Sequence, residues 1–236
     1  MFPFTCLLCL VTMLLPPSFC TATPIVPDES RLAVYTHGFK VGEVISRYAR
    51  QGEAGHDVVS FTSHTRINAD FLVTTYSLEG DEEARIGPEG TLTYRKEWQE
   101  NGARHLVDGR LEGGTFHCVS TGPDSQARVI TLPRERYDFT TMDCPELRIK
   151  REGESLTVRL LDLETCEVLT RNYRWVRTER LTINGVADLF RVIEFHDRNK
   201  SGTRWILPAT VGVKIARQDG TSRKGSYSAR AIDVAR

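Results

Sequence analysis

The sequence has no excess of charge of either sign: 31 Lys and Arg stand against 31 Asp and Glu. That balance excludes a strong field able to recruit nucleic acid or anionic lipid. After residue 22 no apolar run reaches the length needed to cross a bilayer, so no transmembrane segment is expected in the mature chain. There is no Cys-x-x-Cys pair, no His-Glu-x-x-His, no Gly-x-Ser-x-Gly elbow and no phosphate-cradling glycine loop. A thioredoxin-like motif is thereby excluded, and no catalytic residue can be named. His117 and Cys118 are the one close His/Cys pair, and neighbours in a strand point to opposite faces. Four tightly spaced ligands, as a structural zinc requires, are missing, and neither metal nor cofactor is expected.

Cysteine is scarce where it matters. Cys6, Cys9 and Cys20 fall in the N-terminal apolar stretch, which leaves Cys118, Cys144 and Cys166. Three is odd, so at most one bridge forms within the chain and one thiol remains. Cys166 sits in "LETCEV", which reads as a turn within its own hairpin, so Cys118–Cys144 is the expected disulfide.

Residues 1–22 are apolar from Phe2 to Leu15 and end in Cys20-Thr21-Ala22, with small residues at −3 and −1 of a cut before Thr23. No Lys or Arg precedes the run, but the pattern is that of a cleaved export signal. For a lipoprotein signal, Phe19 stands where a small residue should precede Cys20. A periplasmic or secreted chain of one β domain, residues 23–236, is expected.

Period-two alternation dominates the mature chain. In "TLTYRKEW" Leu92, Tyr94 and Trp98 share a face opposite Thr93, Arg95 and Glu97. In "ADLFRVIEF" Leu189, Ile193 and Phe195 alternate with Phe190, Val192 and Glu194, as in a strand covered on both sides. Asn101-Gly102, Asn184-Gly185 and Asp219-Gly220 read as hairpin turns. Helical periodicity is confined to a turn or two in "RERYDFTTMDCPEL". The expected fold is therefore all-β: a curved antiparallel sheet or open barrel. It is built from two meanders, about 34–132 and 156–233, with a connector at about 133–155.

"FKVGEVISRYARQG", "LLDLETCEVLTRNYRWVRTERLTINGVADLFRVIEF" and "RQDGTSRKGSYSARAIDV" resemble secreted bacterial β-rich families of unknown function. Their "V-G-E", "L-D-x-x-x-x-E-V" and "G-S-Y" strands open the sheet, begin its second half and close it. These families in turn distantly resemble the periplasmic lipoprotein-carrier fold (LolA, LolB and LppX types). The resemblance implies an open barrel and an acyl-chain ligand. The carriers plug their half-barrel with helices, whereas helical periodicity is scarce here.

"YDFTTMDCPE" concentrates Tyr137, Asp138, Asp143 and Glu146, but Thr and Asp are also what a corner needs to satisfy free backbone groups. It reads as the connector, not as an acid–base site. Arg171 and Arg177 are expected on the face of Tyr173 and Trp175, with Arg174 and Arg180 opposite, so no basic stripe forms. The residues left to carry function are the two apolar stripes, Leu92, Tyr94 and Trp98 with Leu189, Ile193 and Phe195. They are expected to line a concavity for a lipid-like, apolar or amphipathic ligand, or for a segment of an envelope partner. The alternatives are an envelope hydrolase, or an assembly protein that recruits a strand to a sheet edge.

The export signal has a direct check. The intact mass of the secreted protein is expected to begin at Thr23, and a cytoplasmic chain retaining Met1 overturns the reading.

Overall fold

The computed structural model describes residues 28–51, 58–71, 74–209, 212–222 and 225–234, and the expected export signal at 1–22 lies outside them. The first meander comprises β1 (Asp28–Thr36), β2 (Phe39–Gln51), β3 (Val58–Phe71), β4 (Thr74–Gly87), β5 (Gly90–Glu100), β6 (Ala103–Glu112), β7 (Thr115–Thr121) and β8 (Ala127–Pro133). The second comprises β9 (Phe139–Thr140), β10 (Ser155–Asp162), β11 (Glu167–Ile183), β12 (Val186–His196), β13 (Lys200–Pro208), β14 (Val213–Ser222) and β15 (Gly225–Val234). Between them lie two short 3₁₀ turns, Arg134–Arg136 and Pro145–Arg148. No helix among the described residues is long and apolar enough to cross a membrane.

All fifteen strands belong to one curved sheet, in the order β8 through β1, then β15 back to β9. The chain thus starts in the middle of the sheet and winds out to the β8 edge. The connector carries it to the other edge, and it winds back until β15 pairs with β1, Val34 opposite Ala229. Pairing is antiparallel except at the short β9–β10 contact. The sheet does not close by hydrogen bonds, because β8 and β9 remain its two edges.

Turn chemistry explains the hairpins. Asn101-Gly102 and Asn184-Gly185 have φ of 50°/83° and 50°/77°, the left-handed pair a tight hairpin requires. Asp219-Gly220, expected as a third turn, lies within β14 instead. Gly220 is needed there for space, since a Cβ would sit 2.6 Å from the Tyr227 ring packed beside it. A second correction concerns the arginines. A bulge between Trp175 and Arg177 shifts the register of β11, so Arg177 pairs with Val192 on the face of Arg174. Arg171 does share the inner face with Tyr173, but it is buried and paired with Asp197 at 2.7 Å.

Two apolar clusters fill the interior, one on either side of β9 and β10. One gathers Phe61, Ala84, Tyr94, Val107, Phe116 and Leu161. The other gathers Leu160, Leu169, Tyr173, Ile193, Phe195 and Ile206. Phe190, Val192 and Trp205 form a third on the opposite face of β12 and β13, so β12 is indeed covered on both sides. Each fully buried large side chain contributes about 1.5–3 kcal/mol.

The seam between the edges is covalent. Cys118 on β7 is bonded to Cys166, with Cα atoms 6.4 Å apart. This corrects the expected Cys118–Cys144 pair. Cys166 does lie in a turn, but its left-handed φ of 54° and its burial place it in the first cluster with Cys118. Among the described residues Cys144 is the free thiol, and it packs against the second cluster. The bridge spans 48 residues, for which loop-closure entropy gives about 4 kcal/mol.

Replacing Cys118 and Cys166 together by Ala is expected to lower stability by about 2–4 kcal/mol, read from the denaturant midpoint. Thiol counting of the denatured, unreduced mature chain should find Cys144 alone. An unchanged midpoint, or three reactive thiols, contradicts the covalent seam.

Candidate functional site

The connector enters the interior instead of running over the surface. Tyr137, Thr140 and Glu146 are each at most 2% exposed. Thr140 Oγ1 lies 2.6 Å from Thr91 Oγ1 of β5, and Asp143 accepts from Thr91 at 3.0 Å and from the Thr140 backbone N–H at 2.7 Å. The Thr and Asp residues satisfy a corner, as expected, but the corner is folded inward and fills the space between the meanders. Among the described residues its carboxylates do not converge on an open space.

Deepest in this filling is Glu146, whose Oε1 accepts from Arg204 Nη1 at 2.9 Å. Arg204 donates onward to Gln218 Oε1 at 2.5 Å, and Gln218 donates to the Tyr227 hydroxyl. Glu146 Oε2 has no hydrogen-bond partner among the described residues. Burial pushes the Cys144 thiol and the Tyr48 hydroxyl well above their ordinary ranges, so neither ionises near neutrality. Burial likewise raises Tyr173 to about 12. These groups form a polar girder that ties the connector to β13 and β14.

The inner face changes character along the strands of the first meander. At one level the inward Phe61, Ala84, Tyr94 and Val107 are buried. Further along the same strands, the inward Val44, Ile67, Leu78, Trp98 and His105 are only half-buried. Among the described residues, the filling supplied by the connector and the Leu163–Cys166 turn reaches the level of Tyr94, and beyond it these inward side chains keep partial exposure. Trp98 stacks on His105 at 4.8 Å and an interplanar angle of 7°. Gly80 seats it, because a Cβ there would lie 2.5 Å from the Trp98 Cβ.

Charges ring the boundary. Lys96 Nζ is 5.2 Å from the centre of the Trp98 ring and 3.2 Å from Glu164 Oε1. Burial works against its charge, but Glu164 and Glu82 outweigh burial and hold its pKa above the ordinary lysine value. Tyr94 donates to Glu82 Oε1 at 2.8 Å, and burial followed by Glu82 keeps its hydroxyl well above the usual tyrosine range. Tyr76 is raised in the same way, by burial and then by Glu100. Lys96 therefore faces Glu164 and Glu82, with Asp162 also acting on it, and Glu100 lies beside Tyr76, so carboxylates outnumber the ammonium at this boundary.

The expected lining residues divide accordingly. Trp98 is at the open level and Tyr94 just below it in the packed cluster. Leu92 leaves their stripe because a register shift between Arg85 and Ile86 turns Thr91 inward in its place. Ile193 and Phe195 are buried in the second cluster, whereas Leu189 is 55% exposed. The two stripes lie in separate clusters and do not meet. Sequence reasoning missed Lys96, His105 and Gly80. Lys96 was signalled by the gap it leaves between Tyr94 and Trp98, and Gly80 by its isolation within a strand.

No family model matches the chain. It is similar to a proline–tRNA ligase of Rhodococcus jostii (strain RHA1), at 30% identity over 183 residues, 67% of this chain and 29% of the ligase. It is also similar to the proline–tRNA ligase of Rhodococcus erythropolis (strain PR4 / NBRC 100887), at 30% identity over 156 residues, 56% of this chain and 26% of that one. The chain thus spans less than a third of the length of these curated relatives. Among solved structures it is similar to a β-barrel-like protein of a domain of unknown function, DUF1849, from Brucella abortus. That match has a TM-score of 0.57 at 11% identity, over 89% of this chain and 98% of the other. The shared property is the β-barrel-like fold.

The girder is testable by its charges. Glu146→Ala leaves Arg204 unpaired and is expected to cost about 3 kcal/mol, the low end for a broken buried pair because the Arg204 side chain keeps 24% exposure. Glu146→Leu with Arg204→Met should recover most of that in a denaturant titration. Equal loss in the single and double variants would show that shape, not charge pairing, sets the cost.

Proposed function

We propose that the protein is an exported, non-catalytic binder of the cell envelope, holding an amphipathic ligand at the open end of its inner face. The change from packed to open inward positions between Tyr94 and Trp98 carries this reading. Val44, Ile67, Leu78 and Trp98 offer an apolar wall, and apolar surface left open on a concave face is the usual mark of a ligand site. The negative boundary selects the head group. An apolar tail lies against Trp98, and a cationic or zwitterionic head sits among Glu82, Glu100 and Glu164. A fatty-acid carboxylate would meet like charge there and is disfavoured.

The test is calorimetric titration, below the critical micelle concentration, with dodecyltrimethylammonium, dodecylphosphocholine and laurate. Saturable binding of the first two, at least tenfold tighter than laurate and weakened about tenfold by Trp98→Ala, is expected. A tenfold change corresponds to about 1.4 kcal/mol, the scale of one lost aromatic contact. Absence of saturable binding, or binding that Trp98→Ala leaves unchanged, overturns the proposal.

A further inference from the structure

The outer faces of the two meanders differ in chemistry. Outward positions of β4–β6 carry charges in register, such as Glu83, Arg95 and Asp108. Several are ion-paired, including Arg95 with Asp108 at 3.3 Å and Arg104 with Glu97. That is an ordinary solvated surface. On β10–β15 the corresponding row is Thr157, Asn172, His196, Ser201, Thr221 and Ser226, each opposite the next in the strand register. A parallel row two residues away runs Ser155, Arg174, Glu194, Thr203, Asp219 and Ser228, with Arg174 directly across from Glu194 and Asp219 paired with Arg217.

Two grooves lie along this band. One, of about 520 Å³, is lined by Ser155, Asn172, Arg174, Glu194, His196 and Ser201 among others. The second, of about 310 Å³, continues it over β14, β15 and the β1–β2 turn, with Tyr35, His37, Asp219 and Ser228 in its wall. Phe39, next in the chain to the groove residue Gly38, is 67% exposed.

We infer that this band is a second binding surface, separate from the open end at Trp98, and that its ligand is a linear oligosaccharide laid across the strands. Serine, threonine and asparagine side chains each donate and accept, as does neutral histidine, and this matches sugar hydroxyls, which do both. An anionic ligand would need unbalanced cations, and a lipid a continuous apolar surface; the rows of the band are polar and hold no excess of cations. Its polar rows recur at the interstrand spacing of about 4.8 Å, so from β10 to β15 they span about 24 Å. A polymer whose repeat is close to that spacing, as a chain of pyranose rings has, meets a similar set of partners at each strand. Phe39 supplies a flat apolar surface for a ring face at one end.

The experiment is calorimetric titration of the whole mature protein with cellohexaose and chitohexaose. Saturable binding of at least one is expected. Asn172→Ala with His196→Ala should weaken it about tenfold, and Ser201→Arg, which fills the groove, should abolish it. These side chains face outward, so circular dichroism should be unchanged. Trp98→Ala should bind the oligosaccharide as the wild type does, which separates this surface from the amphiphile site. Failure of both oligosaccharides to bind, binding unaffected by the groove substitutions, or binding lost with Trp98→Ala overturns the inference.

Discussion

The structure depends on how one very wide sheet avoids leaving its two edges and its inner face bare. Closure by a continuous ladder would remove the edges, but β8 and β9 do not pair. The Cys118–Cys166 bond does the joining instead, tying β7 near one edge to the β10–β11 turn near the other. The connector then occupies the space so enclosed. Asp138 accepts from the Arg159 backbone N–H at 2.8 Å and pairs with the Arg159 guanidinium at 2.6 Å, which holds the connector along the outer side of β10. One edge is thus capped by the chain itself, and the inner face gains a core although the described residues hold no α-helix to supply one.

That arrangement also locates the open end. Among the described residues, filling by the connector and the Leu163–Cys166 turn reaches the level of Tyr94. Inward apolar residues continue beyond it, at Val44, Ile67, Leu78 and Trp98, yet these are only half-buried. Lys96 and its carboxylates sit at the boundary between the two levels, where a charge can be paired by Glu164 and still touch solvent. A site of this kind arises from the length of the strands relative to the plug, and it needs no special loop.

Much of the architecture was legible because its signals are local. Alternation in β5 and β12, the Asn-Gly turns at 101 and 184, and the near absence of helical periodicity all pointed to an antiparallel, curved, all-β fold of two meanders. What escaped was set by contacts distant in sequence. Asp219-Gly220 has the chemistry of a turn, and only the packing of Tyr227 over Gly220 explains why it is strand. The bulge at Trp175–Arg177 inverted the expected face of Arg177, and nothing in the alternation marks it. Cys166 was set aside for lying in a turn, yet that turn is what points it at Cys118. Of the expected ligand-lining residues, Trp98 was legible as an inward aromatic. That Ile193 and Phe195 belong to a different, filled part of the interior depends on where the connector goes, which no local pattern encodes.

The division of the inner face into a packed and an open level can be read directly by hydroxyl-radical footprinting with mass spectrometry on the native protein. The account predicts rapid modification of Trp98, Tyr76 and His105, and strong protection of Tyr94, Phe61 and Phe116, although Tyr94 and Trp98 lie four residues apart on one strand. Equal protection of Trp98 and Tyr94 would contradict it, because the concavity would then be filled throughout and the open end on which the proposed function rests would not exist.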